Sequence, residues 1–242
     1  MKIKKPQLEN PIFCAIDTPS LQKAISLGNK IKFSVGGIKV GLEFFSSNGP
    51  QGVAKLSNSL KLPIFLDLKF HDIPNTVSKA IEAVLPLRPL MLNVHASGGI
   101  SMMEASVETV SNFANKKNME RPFVLGVTLL TSLDDKDLKG FGVDIKSQDY
   151  VLNLACLAKK AGLDGVVCSP YEVERIRSEC GDNFIILTPG VRPLKSSSND
   201  QKRVLTPKAA LENGADFIVI GRPITQSEDP EKASKEILNE IR

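Results

Sequence analysis

Tryptophan is absent from the 242 residues, and tyrosine and histidine each occur only twice. No patch in which aromatic and basic residues interleave appears along the chain, so no platform on which bases could stack is expected. The Lys and Arg residues are scattered among acids and leave a formal charge of only +4, which argues against a nucleic-acid surface and suits a small anionic ligand. The four cysteines, Cys14, Cys156, Cys168 and Cys180, make no C-x-x-C pair. With His71 and His95 the only histidines, suitably spaced ligands for a zinc site are too few, and the thiols read as reduced core residues of a cytosolic protein. No stretch approaches the roughly eighteen apolar residues that a membrane span needs. The basic start, "MKIKKPQLEN", is followed by neither a long apolar segment nor a small-residue cleavage site, so the chain is expected to stay in the cytoplasm. Neither G-x-G-x-x-G nor G-x-x-x-x-G-K-[ST] occurs, which removes the phosphate-loop signatures of most open doubly wound sheets.

What the chain does have is ordinary globular stock, 42% hydrophobic and 24% charged, arranged with a clear rhythm. Eight short apolar runs recur: "PIFCAID", "GIKVGLEFF", "LPIFLDLKF", "LMLNVHASG", "PFVLGVTLL", "GVVCS", "NFIILTPG" and "DFIVIGRP". Helical spacing follows them, as in Leu21, Ala24, Ile25 and Gly28, in Val151, Leu154, Ala155 and Ala158, and in Val173, Ile176 and Cys180. In "TPKAALENG" Thr206 suits an N-cap, Pro207 the first helical position and Gly214 the residue past the end. Strands that are continuously apolar rather than alternating belong to a parallel sheet covered on both faces. Eight such units in this length predict a single-domain (β/α)8 barrel over residues 1–242, an α/β fold, with an open sheet as the competitor. The stretch Pro189 to Arg203, "PGVRPLKSSSNDQKR", is too polar to bury a core, and reads as a lid loop or as a surface insertion.

In such barrels the chemistry sits at the C-terminal ends of the strands, and here those ends are polar. The first run ends in Asp17, the second carries Lys39, and the third ends in "DLKFHDIPNT", with Asp67, Lys69 and Asp72. Residues two apart on a strand face the same side, so Asp67 and Lys69 should both meet the barrel mouth. With Lys39 from the neighbouring strand, and Asp72 in a turn stiffened by Pro74, alternating charges could keep one another ionised and Lys69 protonated. A structural ion-pair network without chemistry fits the same spacing. Gly221-Arg222 offers close backbone approach and a bidentate anion donor, against an ordinary turn. His71 and His95 read as hydrogen-bonded structural histidines.

The third-strand motif "DLKFHDIPNTV", together with "AID", "KVGLEFF", "NVHASGG", "GVTLLTS", "TPGVRP" and "VIGRPIT", resembles the orotidine 5'-phosphate decarboxylase family from Asp17 to Thr225. The resemblance implies a homodimeric (β/α)8 barrel that converts orotidine 5'-monophosphate to uridine 5'-monophosphate and carbon dioxide, the last step of de novo UMP biosynthesis, without metal or organic cofactor. By motif position, Lys39, Asp67, Lys69 and Asp72 match the family's charged tetrad. Asp72, Ile73 and Thr76 would reach the partner subunit's site, and Asp17 and Lys39 would contact ribose hydroxyls. Thr131 matches the pyrimidine-contacting position, with Ser132 as the alternative one residue on. Gln201, Arg222 and the Gly221 backbone match the phosphate grip, and Arg192 matches the arginine where the lid, near 189–203, begins. The related hexulose-phosphate synthases and keto-gulonate-phosphate decarboxylases share D-x-K-x-x-D but place a metal-binding acid where this chain resembles its relatives in carrying Lys39.

Overall fold

The computed structural model describes residues 5–193 and 205–242. Eight parallel strands hydrogen-bond in chain order and close on themselves through β8 and β1. They are β1 (Ile12–Ala15), β2 (Gly37–Val40), β3 (Ile64–Phe70) and β4 (Met91–His95), then β5 (Phe123–Val127), β6 (Gly165–Val167), β7 (Ile185–Pro189) and β8 (Phe217–Ile220). The first half of the barrel is wrapped by α1 (Leu21–Ile31), α2 (Leu42–Leu60), α3 (Pro74–Val84) and α4 (Ile100–Lys117). Then come α5 (Asp135–Gly140), α6 (Ser147–Lys160), α7 (Val173–Cys180), α8 (Pro207–Glu212), α9 (Arg222–Thr225) and α10 (Pro230–Ile241). The predicted barrel is therefore the observed one, and each of the eight apolar runs contains one strand. Among the described residues no helix is long and apolar enough to cross a membrane.

Two apolar cores follow from strands that are covered on both faces. The larger lies between sheet and helices, built on residues such as Ile12, Ile38, Leu66, Val124, Ile186 and Ile218. The smaller fills the inside of the barrel with Phe13, Phe65, Met91, Phe123, Ile185 and Phe217 at its N-terminal end, and Val127, Val167, Leu187 and Val219 above them. Phe13 and Phe217 meet edge to face at 5.6 Å across the β1–β8 closure, a favoured aromatic geometry. Gly37 makes room for them: a Cβ there would come within 2.7 Å of the Phe13 ring. The large rings plug one end of the barrel interior, so a site inside the barrel opens at the other end.

Local signals explain the helix ends. Thr206 accepts a hydrogen bond from Ala209 N–H at 3.1 Å, Pro207 opens α8, and Gly214 follows its end with φ of +104°. The run "GIKVGLEFF" divides differently from its apolar appearance, because β2 stops at Val40 and the remainder begins α2. Gly41 has no side chain to cap that helix. The cap comes from another strand, since Asp17 Oδ1 accepts from Phe44 N–H at 3.0 Å. A carboxylate at a helix N-terminus satisfies an orphan donor and complements the helix dipole.

Candidate active site

The inward-facing positions of β1, β2 and β3 converge on a line of charge. Lys39 pairs with Phe65 in the β2–β3 register, which puts Asp67 two residues further along on the same inner face. Lys39 Nζ lies 3.1 Å from Asp67 Oδ2 and 3.7 Å from Asp17 Oδ2, and Lys69 Nζ lies 2.6 Å from Asp67 Oδ1. Asp67 is only 8% exposed. Burial alone would raise its pKa, but the charges of Lys39 and Lys69 and hydrogen bonds from Lys69 and Asn93 outweigh it and hold the carboxyl below its ordinary value. At about 4 Å and an effective dielectric near 20, one such contact is worth roughly 4 kcal/mol, comparable to the several kcal/mol that desolvating an ion costs.

Asp67 and Lys69 do share the mouth, but a regular strand is not what brings them there. The β3–β4 register runs from Leu66 opposite Leu92 to Phe70 opposite Val94, so Asp67, Leu68 and Lys69 form a bulge opposite Asn93 alone. Lys69 sits at φ of +51°, a left-handed conformation that costs a non-glycine residue roughly 1–3 kcal/mol. The completely buried Asn93 fills the gap in the ladder. Its Oδ1 accepts from Lys69 N–H at 2.8 Å and its Nδ2 donates to Asp67 Oδ1 at 2.7 Å. Asn93 escaped the sequence reading, although a single amide inside the apolar run "LMLNVHASG" was a legible signal. Gly41 also escaped. A Cβ on it would collide with Asp17 Oδ2 and approach Lys39 Nζ to 2.9 Å.

His71 and His95 stack beside Lys69 with ring centroids 5.1 Å apart. Burial, then the neighbouring His71 and Lys69, push His95 down to about 4, against a smaller opposing pull from Asp67. A neutral ring beside the Lys69 ammonium fits a supporting role.

The mouth opens into two joined cavities that share Lys39, Pro189 and Val219. One, of about 170 Å³, is mostly apolar: Phe65, Val127, Leu129, Val167 and Leu187 line it, the Asp67–Lys69 pair forms one wall, and Thr131 also borders it. The other, of about 290 Å³, is lined by Asp17, Arg192, Gly221, Arg222 and Gln226. Thr131 thus borders the apolar part, and Ser132 is not among its described lining residues. Among the described residues a Cβ on Gly221 would meet only Ala15, at 3.5 Å, so the described packing leaves the space above this backbone open toward the cavity. Arg192 is buried, and its backbone N–H donates to Leu205 O at 2.9 Å, joining the two flanks of the 194–204 stretch. Gln201 and most of the predicted lid lie outside the described residues.

Asp72 stands apart from the other three tetrad positions. Its carboxylate accepts from Ile73 N–H at 2.7 Å, and among the described residues it makes no ion pair. Ile73 is 67% exposed, and Asp72 and Thr76 are exposed beside it. A larger cavity of about 510 Å³ lies at the opposite end of the barrel, but Arg121 there is committed to Asp164 at 2.7 Å and Lys5 to Asp216 at 2.6 Å. Its charges tie strand starts together.

Comparison with known proteins agrees with this geometry. The family model described as "Orotidine 5'-phosphate decarboxylase / HUMPS family" matches residues 10–237. A Rhodospirillum rubrum protein named orotidine 5'-phosphate decarboxylase is 52% identical over 233 residues, covering 96% of this chain and 94% of the relative. One of the same name from Sphingopyxis alaskensis is 48% identical, covering 95% of this chain and 98% of the relative. The crystal structure of orotidine 5'-phosphate decarboxylase from Lactobacillus acidophilus superposes with a TM-score of 0.83 at 35% identity, covering 97% of this chain and 100% of that one.

Proposed function

The chain belongs to the orotidine 5'-phosphate decarboxylase / HUMPS family, and on that premise we propose that it converts orotidine 5'-monophosphate to uridine 5'-monophosphate and carbon dioxide. This is the last step of de novo UMP biosynthesis, carried out in the cytoplasm by one barrel spanning 1–242. The observation that carries the reading is Asp67 bridging Lys39 and Lys69 at the wall of an apolar pocket that continues into an arginine-lined one. The pyrimidine would occupy the first part, with Thr131 at its edge, and the phosphate the second, against Arg222 and the Gly221 backbone. Gln201 and Arg192 of the 189–203 lid would close over it. Asp17 and Lys39 would take the ribose hydroxyls between.

The bond from C6 to the carboxylate breaks, its electron pair stays on C6, and carbon dioxide leaves. Lys69 Nζ, held 2.6 Å from Asp67, stabilises that charge and then donates its proton to C6. Asp67 disfavours the substrate carboxylate beside it and favours the neutral product. Enzymes lower barriers by about 8–23 kcal/mol, more than a few ion pairs supply, so binding energy from the phosphate end must drive alignment and desolvation at C6. Lys39 stands where the related metal-dependent enzymes hold a metal-binding acid. A divalent cation there would have to displace an ammonium group that lies 3.1 Å from Asp67 and 3.7 Å from Asp17, which supports a reaction without metal.

The exposed Asp72, Ile73 and Thr76 support a homodimer in which these residues complete the partner subunit's site. Mixing Lys69→Ala and Asp72→Ala proteins tests this, because a mixed dimer contains one site with both residues intact. Activity recovered on mixing two inactive proteins supports the shared site, and none recovered from mixed dimers removes it.

The deciding experiment follows the loss of orotidine 5'-monophosphate absorbance in excess chelator, with Lys69→Ala beside the parent. Turnover to uridine 5'-monophosphate by the parent alone is expected. A folded, dimeric parent that does nothing without magnesium would overturn the assignment in favour of the sugar-phosphate relatives.

A further inference from the structure

We propose that Asn93 is a positioning residue for the reaction, its single buried amide holding Lys69 and Asp67 in the register that proton transfer requires. The inference rests on the decarboxylase reading and deepens it. At the β3 bulge, Asn93 stands alone opposite Asp67, Leu68 and Lys69, and Lys69 N–H donates to its side chain instead of to a backbone carbonyl of β4.

The resulting hydrogen bonds form a ring. Lys69 N–H donates to Asn93 Oδ1 at 2.8 Å, Asn93 Nδ2 donates to Asp67 Oδ1 at 2.7 Å, and the same oxygen accepts from Lys69 Nζ at 2.6 Å. The backbone and the ammonium of one lysine are thus tied to opposite sides of one amide, through a carboxylate. This accounts for the left-handed φ of +51° at Lys69, which turns the side chain back over Asp67 and which the ring holds in place. Of the neutral side chains of this size, only a primary amide both accepts on one side and donates on the other. Leucine matches its shape and does neither. Aspartate accepts from Lys69 N–H but sets a second carboxylate against Asp67. Asn93 is completely buried, so no solvent water stands ready to replace a lost bond.

The test uses Asn93→Leu and Asn93→Asp with two readouts. One is titration of the Asp67 carboxyl by carbon NMR in the ligand-free protein, and the other is steady-state kinetics with orotidine 5'-monophosphate. For Asn93→Leu the Asp67 midpoint is expected to rise, and kcat to fall about a hundredfold with KM within about threefold, the pattern of a misplaced reacting group rather than lost binding. If Asn93→Leu does not fold, Asn93→Asp decides, with the coupled pair of carboxyls expected to titrate higher than Asp67 alone. A purely structural Asn93 would lower the melting temperature while leaving the Asp67 midpoint and kcat per folded molecule at parental values, and that result overturns the inference. Failure of the decarboxylase reading would show separately, as a parent without turnover, and the titration would still judge Asn93.

Discussion

Lys39 and Asp67 meet at 3.1 Å across the β2–β3 seam, both nearly out of reach of solvent. The other oxygen of the same carboxylate holds Lys69. Asp67 is therefore the hinge of the charge line: it keeps two ammonium groups in place, and their charge keeps it ionised. The arrangement concentrates charge where the barrel is otherwise apolar, so small geometric errors there should cost activity more than stability.

Gly41→Ala is the least intrusive way to introduce such an error. The backbone at Gly41 is extended, with φ of −106°, so alanine meets no conformational penalty. Its Cβ would collide with Asp17 and crowd Lys39. A loss of roughly tenfold in kcat/KM is expected from displaced ribose contacts, with only a small drop in the thermal midpoint, of the size of a disturbed helix cap where Asp17 holds Phe44 N–H. Steady-state kinetics beside a melting curve checks both.

Arg222→Ala should weaken both binding and turnover of orotidine 5'-monophosphate. Energy from the phosphate grip is used at C6, so kcat/KM is expected to fall by about a hundredfold or more. The same substitution should leave the residual reaction of the phosphate-free nucleoside unchanged within about threefold. Equal losses on both substrates would show that Arg222 does not grip the phosphate.

Acid should destabilise the fold through His95. Its folded pKa of about 4 lies below the ordinary 6.5, owing to burial and to His71 and Lys69, with Asp67 opposing. The unfolded chain binds the proton more readily, so the stabilisation is fully present above pH 6.5 and is lost as pH falls toward 4. After allowance for partial solvent screening the effect is about 1–2 kcal/mol. Denaturant unfolding at several pH values should show this slope, and His95→Gln should flatten it.

Asp216→Ala tests the opposite end of the barrel. Asp216 accepts from Arg177 at 2.7 Å, from Lys5 at 2.6 Å and from Ile186 N–H at 2.8 Å. Removing it takes the carboxylate partner from Lys5 and Arg177 and the acceptor from a strand N–H, while Arg177 keeps the carbonyls of Gly181, Phe184 and Gly214, at a cost of about 3 kcal/mol. Because the aromatic plug separates this end from the site, kcat of the folded protein should stay at the parental value.

The outcome divides along the range of the interactions involved. Eight continuous apolar runs, their helical partners and the polar residues at their ends were readable because strand and helix periodicities are written in neighbouring positions, and so were Thr206, Pro207 and Gly214 as the ends of α8. The motif around Asp67 and Lys69 likewise carried the family. Which charges meet was decided by tertiary structure. Lys39 reaches Asp67 because the barrel's register sets β2 beside β3 at that level, while Asp72 turns back to Ile73. Asn93 stood out as an amide in an apolar run, but its task, like that of Gly41, became visible only when a bulge and a close approach set their partners. Local pattern determined the barrel and its polar rim, and only closure of the sheet, which brings residues 17, 39, 67 and 93 within hydrogen-bonding or ion-pair reach of a neighbour in the group, decided the site.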